Sequence, residues 1–335
     1  ESDMTANHLT PLHVRVRQGL LQRGLLPDLE HIVVAVSGGQ DSLCLLKILA
    51  DIASRHHWRL FVLHCNHRWH ERETDCAHFV QTFVRRQFQL PCEIATADVV
   101  TRDENRARQW RYRELAHWAE RWQCRSITTG HTCSDRAETF LYNLVRGTGV
   151  RGLTSLDWCR PLQATDSTAP LLVRPLLEVS RAETAQFCQQ HHLPVWEDHF
   201  NRDLSHPRNR LRHEVIPNLK KHFNPQVDRA LNRAATTLQA EADYLEIQTE
   251  ILWQASYCPE PPRLLCQPLR QAHLAIQRRI LHRYLQLVMT RTPTFERVET
   301  LRSLVDAPRG SRTSTLRGGW WGITDSRVIN LQQHA

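Results

Sequence analysis

Three stretches of this chain carry side chains whose types and spacing could do chemistry. The first is Ser37-Gly38-Gly39-Gln40-Asp41-Ser42. The β-branched, apolar run at residues 31–36 before it has the composition of a buried parallel strand, and Leu43, Leu46, Lys47 and Ala50 after it recur at helical spacing. The stretch therefore reads as a strand-to-helix corner. At such a corner the first helical N–H groups lack partners and form the positive end of the helix dipole, so an anion is favoured there. Gly38 and Gly39 would let the backbone approach a ligand with no Cβ in the way. A plain turn followed by a helix cap is the simpler reading. The spacing fits neither a Walker loop nor a GxGxxG fingerprint.

The second stretch, TTGHTCSDRAETFLYNLVRGTGVRGL at residues 128–153, brings His131, Asp135 and Glu138 after a strand that ends at Gly130. Asp135 and Glu138 are three apart and share one helical face. Two such carboxylates could hold Mg²⁺, or a cationic amine and its protons. Alternatively, Ser134 is an N-cap and the acids complement the dipole. The third stretch, PRNRLRH, holds Arg208, Asn209, Arg210 and Arg212, either a phosphate-binding strip or a basic linker. Arg108 and Arg111, on a helix, are equally readable as solvent-facing or salt-bridged.

Positioning these groups requires an ordered sheet. Up to about residue 200 the chain alternates strand and helix signals: strands at 31–36, 60–64, 92–97 and 126–129, with helices at 71–88, 103–123 and 135–146 between and after them. Repeated βαβ order predicts an α/β fold, a parallel twisted sheet with helices on both faces and ligands at the carboxyl ends of the strands. Past Pro207 the pattern turns mainly helical, with long candidates at 227–255 and 268–289 joined by a Pro-rich link, CPEPPR, and short strands near the end of the chain. The domains expected are residues 1–217 and a smaller, mainly helical 218–335.

Composition narrows the partners. The chain has 335 residues and a net charge of +8, which favours a polyanion. Its ten cysteines include no CxxC pair, which argues for reduced thiols and against a zinc ribbon or a disulfide framework. No apolar run is long enough to span a bilayer, and no signal-peptide layout is present, so a soluble, cytoplasmic protein is expected.

The SGGxDS corner resembles the loop of the PP-loop, or N-type ATP pyrophosphatase, superfamily, whose members cleave ATP between its α and β phosphates. Further elements agree: GHxxxDxxET…LxRGxGxxGL from Gly130, ARQWRY at 107–112, RPLLEVSRAE at 174–183, and WEDHFNRD…PRNRLRHEVIPNL at 196–219. Together they make the chain similar to tRNA(Ile)-lysidine synthetases of the short, two-domain form. It departs from that pattern at Ser134, where the family has an acid, at Arg136, where glutamine is common, and at Asn66, in an aspartate position.

The resemblance implies ATP and Mg²⁺ as cofactors, L-lysine and the anticodon loop of tRNA(Ile) as partners, and neither DNA nor a membrane. It implies that Ser37, Gly38, Gly39, Gln40, Asp41 and Ser42 bind ATP, with Asp41 also placing the metal. Asp41, His131, Asp135, Glu138 and Arg108 would be catalytic, and Arg111, Arg146, Arg151, Arg208, Asn209 and Arg212 would hold RNA or phosphate. The helical domain after residue 217 would help to hold the tRNA. The implied reaction joins lysine to C2 of the wobble cytidine through an adenylated intermediate, releasing pyrophosphate and AMP. Two other readings stay open. One is a PP-loop tRNA thiolase using Cys133, and the other is an inactive, nucleotide-regulated RNA-binding module, which Ser134 and Asn66 would suit.

Overall fold

The computed structural model describes residues 9–69, 72–101, 103–154, 156–162, 169–196, 204, 206–289, 293–316 and 318–333. Most of WEDHFNRD, including Arg202, lies outside the described residues.

The chain forms two compact units, Glu1–Thr237 and Leu238–Ala335. In the first, α1 (Pro11–Gln22) precedes β1 (His31–Ala35), α2 (Gln40–His56), β2 (Arg59–Asn66), α3 (Arg72–Gln87), β3 (Cys92–Thr96), α4 (Glu104–Arg121), β4 (Ser126–Thr129) and α5 (Cys133–Val145). A short α6 (Val150–Leu153) leads to β5 (Cys159–Pro161), β6 (Leu171–Val173) and α7 (Arg181–Gln190). Then α8 (Pro207–Arg210), a stretch of π-type turns (Leu211–Val215), α9 (Ile216–His222) and α10 (Val227–Ser256) follow.

The six strands pair in the order β3-β2-β1-β4-β6-β5, parallel except for β5 at the edge. Alternation along β1 builds both layers. Ile32 and Val34 pack with Leu43, Leu46 and Val80 on one face, and Val33 packs with Leu63, Leu115 and Ile127 on the other.

The units divide at residues 237 and 238, inside α10, whereas the sequence reading drew its boundary at 217 and 218. The first turns of α10 stay with the first unit because Asp228, Asn232 and Thr236 bond to side chains of α5.

The second unit contains the rest of α10, β7 (Tyr257–Pro259), β8 (Pro262–Leu265), α11 (Cys266–Gln271), α12 (Leu274–Met289), α13 (Phe295–Arg302), β9 (Trp320–Thr324) and β10 (Val328–Gln333). The expected terminal hairpin is β9–β10. The CPEPPR stretch, expected as a linker, instead makes a second hairpin, and the four strands form an antiparallel sheet ordered β7-β8-β10-β9. Its prolines cluster at the turn, while Tyr257 opposite Leu264 and Cys258 opposite Arg263 carry the pairing. The helix expected at 268–289 breaks at Ala272, whose backbone is extended and whose carbonyl accepts from Gln277 Nε2.

Candidate active site

β1 and β4 are parallel neighbours with Ala35 opposite Thr129, so the corner leaving β1 and the loop leaving β4 emerge side by side where the strand order reverses. Gly130 permits their contact. A Cβ there would lie 2.9 Å from the carbonyl carbon and oxygen of Asp41 and from the backbone nitrogen of Ser42.

The corner is held by its own side chains. Ser42 Oγ accepts from the Ser37 N–H at 3.1 Å and donates to the Gly39 carbonyl at 2.9 Å. Gly38 has φ +89°, and a Cβ on it would press on Val80 and Cys76 at 3.0 and 3.1 Å. Gly39 is the N-cap of α2 and has no side chain to close it, so the corner is not a self-capped turn. The N–H groups of the first turn of α2 remain a site for an anion.

Asp41 of the corner joins Asp135 and Glu138 of α5 and two guanidinium groups in one cluster. Arg181 donates from Nε to Asp41 at 3.2 Å, from Nη2 to Asp135 at 2.7 Å and from Nη1 to Glu138 at 3.2 Å. Arg212, in the π-turn stretch, grips both oxygens of Glu138 at 2.8 Å and lies 3.6 Å from Asp135. Thr184 donates a short bond to Asp41.

Asp135 has two jobs, one per oxygen. Its Oδ2 accepts from the N–H and hydroxyl of Thr132, closing a capping box, and its Oδ1 takes Arg181. The N-cap of α5 is thus Thr132 and not Ser134. Ser134 Oγ donates instead to Asp228 at 3.2 Å.

Burial raises the carboxyl pKa of Asp41, and the nearby charge of Asp135 adds to this; Arg181 and Thr184 only partly offset it. Burial would raise Asp135 too, but Arg181, His131 and the Thr132 bonds outweigh it and leave Asp135 below its usual range. His131 is pushed below its ordinary 6.5 by burial and by Arg174, Arg111 and Arg108, against the pull of Asp135. It is a neutral imidazole at pH 7, an N–H donor rather than a cation, with Nδ1 2.8 Å from Thr129 Oγ1.

A cavity of about 680 Å³ unites the two walls. Of the residues singled out in the sequence, Ser37, Gly39, Gln40, Asp41, Ser42, Arg111, His131, Asp135 and Arg212 line it, together with Arg181, Trp69 and Trp196. Gly38 turns away beneath the corner, and Glu138 stands behind Arg181 and Arg212. Arg108 bonds to the Tyr112 hydroxyl at 3.2 Å, beside Arg160 and the fully buried Arg174. Burial would raise the Tyr112 phenol, but Arg108, Arg111 and neighbouring arginines pull it down to about 8. Arg146 and Arg208 flank Tyr142 at the surface, and Arg151 is exposed on α6, so these three and Asn209 lie outside the cavity lining.

Sequence reasoning missed Arg181, the hub of the cluster. Its signal was the capping box Ser180-x-x-Glu183, which fixes a helix start and so points the next residue, Arg181, at the strand ends.

No group of three or more His, Cys, Asp or Glu side chains among the described residues could hold a metal by itself, and the Asp41 oxygens accept from Arg181 and Thr184, so Asp41 could supply one carboxylate to a Mg²⁺ held mainly by nucleotide phosphates. Mg²⁺ favours one or two carboxylates completed by phosphate oxygens and water, and Asp41 stands beside the anion corner with its carboxylate on the cavity wall.

Residues 12–219 match the PP-loop domain family and residues 264–323 the TilS substrate binding domain. A tRNA(Ile)-lysidine synthase from a Synechococcus species is 53% identical over 313 residues, covering 93% of this chain and 95% of that protein. One from a Synechocystis species is 44% identical, covering 92% and 94%. The chloroplastic tRNA(Ile)-lysidine synthase of Zygnema circumcarinatum is 34% identical, covering 86% and 78%. Among solved structures, a U34-tRNA thiolase from Methanococcus maripaludis with its [4Fe-4S] cluster superimposes with a TM-score of 0.56 at 18% identity, over 68% of this chain and 77% of that one. That likeness concerns the fold.

Proposed function

The chain belongs to the tRNA(Ile)-lysidine synthase family, and on that footing we propose that it uses ATP to join L-lysine to C2 of the wobble cytidine of a tRNA(Ile) with a CAU anticodon. The observation that carries this reading is the single cavity in which an unclosed helix N-terminus faces Asp135 and Arg181.

In the first step the cytidine C2 oxygen attacks the α phosphate in line, forming an O–P bond while the bond to the β phosphate breaks and pyrophosphate leaves. Ser37, Gly39, Gln40 and Ser42 hold the outgoing phosphates, and Asp41 would help to hold a Mg²⁺ ion, which would supply charge neutralisation there. Arg111 and the N–H of His131 stand where negative charge grows on the α phosphate, with Arg108 behind them at Tyr112.

In the second step the lysine ε-amine attacks C2, the C2–O bond breaks and AMP leaves. Asp135, kept ionised by Arg181, attracts the incoming ammonium, and Glu138 adds charge behind it. The proton that the amine must lose goes to the Asp135 carboxylate. Reaching C2 requires an unstacked base, which an anticodon loop supplies cheaply. Exposed Arg146, Arg151 and Arg208, with Asn209, would take the backbone phosphates.

The other readings find less support. Cys133 is buried, and its thiol is pushed up to about 11, which leaves little thiolate for sulfur transfer. Ser134 and Asn66 both have structural partners, Asp228 and the Arg68 N–H, and Asp41, Asp135 and Glu138 gather around Arg181 without them. The proposed setting is the cytoplasm, and no helix of the described residues is long and apolar enough to cross a membrane.

Incubation with ATP, Mg²⁺, tRNA and labelled lysine tests the proposal. Label at the wobble cytidine is expected, and Asp41→Ala should abolish pyrophosphate release while retaining tRNA affinity. Sulfur transfer, or RNA binding without pyrophosphate release, would overturn it.

A further inference from the structure

α5 carries the acid pair on one side and is bolted to α10 on the other. Asp228, Asn232 and Thr236 recur every four residues and form a polar stripe along one face of α10. Ser134 Oγ donates to Asp228 at 3.2 Å, and Arg136 Nη1 donates to Asn232 at 3.2 Å and to Thr236 Oγ1 at 2.9 Å. Lys220 of α9 closes on Asp228 at 2.7 Å.

The Arg136–Asn232 and Ser134–Asp228 bonds are buried, while Thr236 and Lys220 at the two ends of the stripe reach solvent. Arg136 is 2% exposed, Asp228 6% and Asn232 8%, and no carboxylate among the described residues pairs with Arg136. A buried guanidinium with no carboxylate in direct contact, and only the longer-range pull of Asp157 and Glu178 on its charge, is a costly way to hold two helices together. What the polar contacts add is direction, because a hydrogen bond weakens steeply when its donor turns out of line.

We infer that Arg136 and Asp228 are positioning residues: by anchoring α5 at positions 134 and 136 they set the rotation that presents Asp135 and Glu138 to the lysine amine. The inference rests on the reading of Asp135 and Glu138 as the amine site. Residues 134 and 136 lie about 100° to either side of Asp135 around the helix axis, so anchoring both fixes the azimuth of the residue between them. A carboxylate roughly 5 Å from the axis moves about 2 Å for a 20° turn, enough to break the 2.7 Å bond from Arg181 to Asp135. Arg181 shares the restraint, since its own N–H donates to Ser134 Oγ at 3.3 Å.

Arg136→Met and Arg136→Lys, with Asp228→Asn, provide the test. Each is assayed for lysine KM in the complete reaction and for pyrophosphate release with ATP and tRNA alone, with a thermal melt to confirm folding. Arg136→Met should raise the lysine KM about tenfold and change lysine-free pyrophosphate release by less than about twofold, with Arg136→Lys recovering most of the loss. Asp228→Asn keeps the shape at Ser134 and should shift KM in the same direction by less.

An equal fall in both activities, or an unchanged lysine KM in a folded Arg136→Met protein, overturns the inference. Asp135→Asn, assayed beside them, separates the two claims. If Asp135→Asn leaves the lysine KM unchanged, the amine-site reading has failed; if it raises KM and Arg136→Met does not, only the positioning role has.

Discussion

Replacing Gly130 with alanine tests how the two walls of the cavity are joined. The new Cβ would sit 2.9 Å from three backbone atoms of Asp41 and Ser42. Carbon contacts are comfortable at about 3.5–4.0 Å, so a gap of roughly 0.5–1 Å must open. Backbone at the start of α2 cannot relieve this by a rotamer change, and overpacking of this kind costs about 1–3 kcal/mol. The displaced turn carries Asp41 and Ser42, and a misplacement approaching 1 Å at reacting groups costs up to about 10²-fold in rate. Gly130→Ala should therefore lower unfolding stability by about 1–3 kcal/mol in urea and slow tRNA-dependent pyrophosphate release by about 10- to 100-fold. Gly149→Ala is the control, since nothing lies within 4 Å of a Cβ there, and it should change stability by less than about 0.5 kcal/mol. A Gly130→Ala protein as stable and as active as the parent would refute the argument.

Two further outcomes follow from the charges. Arg181→Met leaves Asp41, Asp135 and Glu138 facing one another without their shared cation, and stability at pH 7 should drop by about 1–3 kcal/mol; urea denaturation at pH 7 measures it. His131 has a folded pKa below 6.5, so between 6.5 and the folded value the unfolded chain binds a proton that the folded one refuses, and stability falls as pH falls through that window. His131→Gln should flatten that fall by at most about 1.4 kcal/mol per pH unit, read from urea midpoints across pH 4–7, and an unchanged slope would show the imidazole to be protonated when folded.

Much of the first unit could be read from local pattern. β1 and the corner after it carry a strand composition, two glycines and a helical repeat in succession, and each of those signals is local. The acids of α5 were legible for the same reason. Arg181 and Arg212 were harder because their meaning is purely spatial: they come from segments distant in sequence that meet Asp135 only once the sheet order is set. The second hairpin was hidden by its prolines, which read as a linker until the pairing of Tyr257 with Leu264 explains them. Ser134 and Arg136 looked like losses from a family pattern, and the packing of α10 on α5 gives both a partner.

The central claim is that one cavity serves both halves of the reaction, with the corner at Ser37–Ser42 activating ATP and the acids beyond it delivering the amine. Mass analysis of tRNA after reaction of Asp135→Asn with ATP, Mg²⁺ and lysine tests it most directly. The account predicts that adenylated tRNA accumulates, with pyrophosphate released and little lysine attached. Lysine transfer by that variant at the parent rate would contradict it.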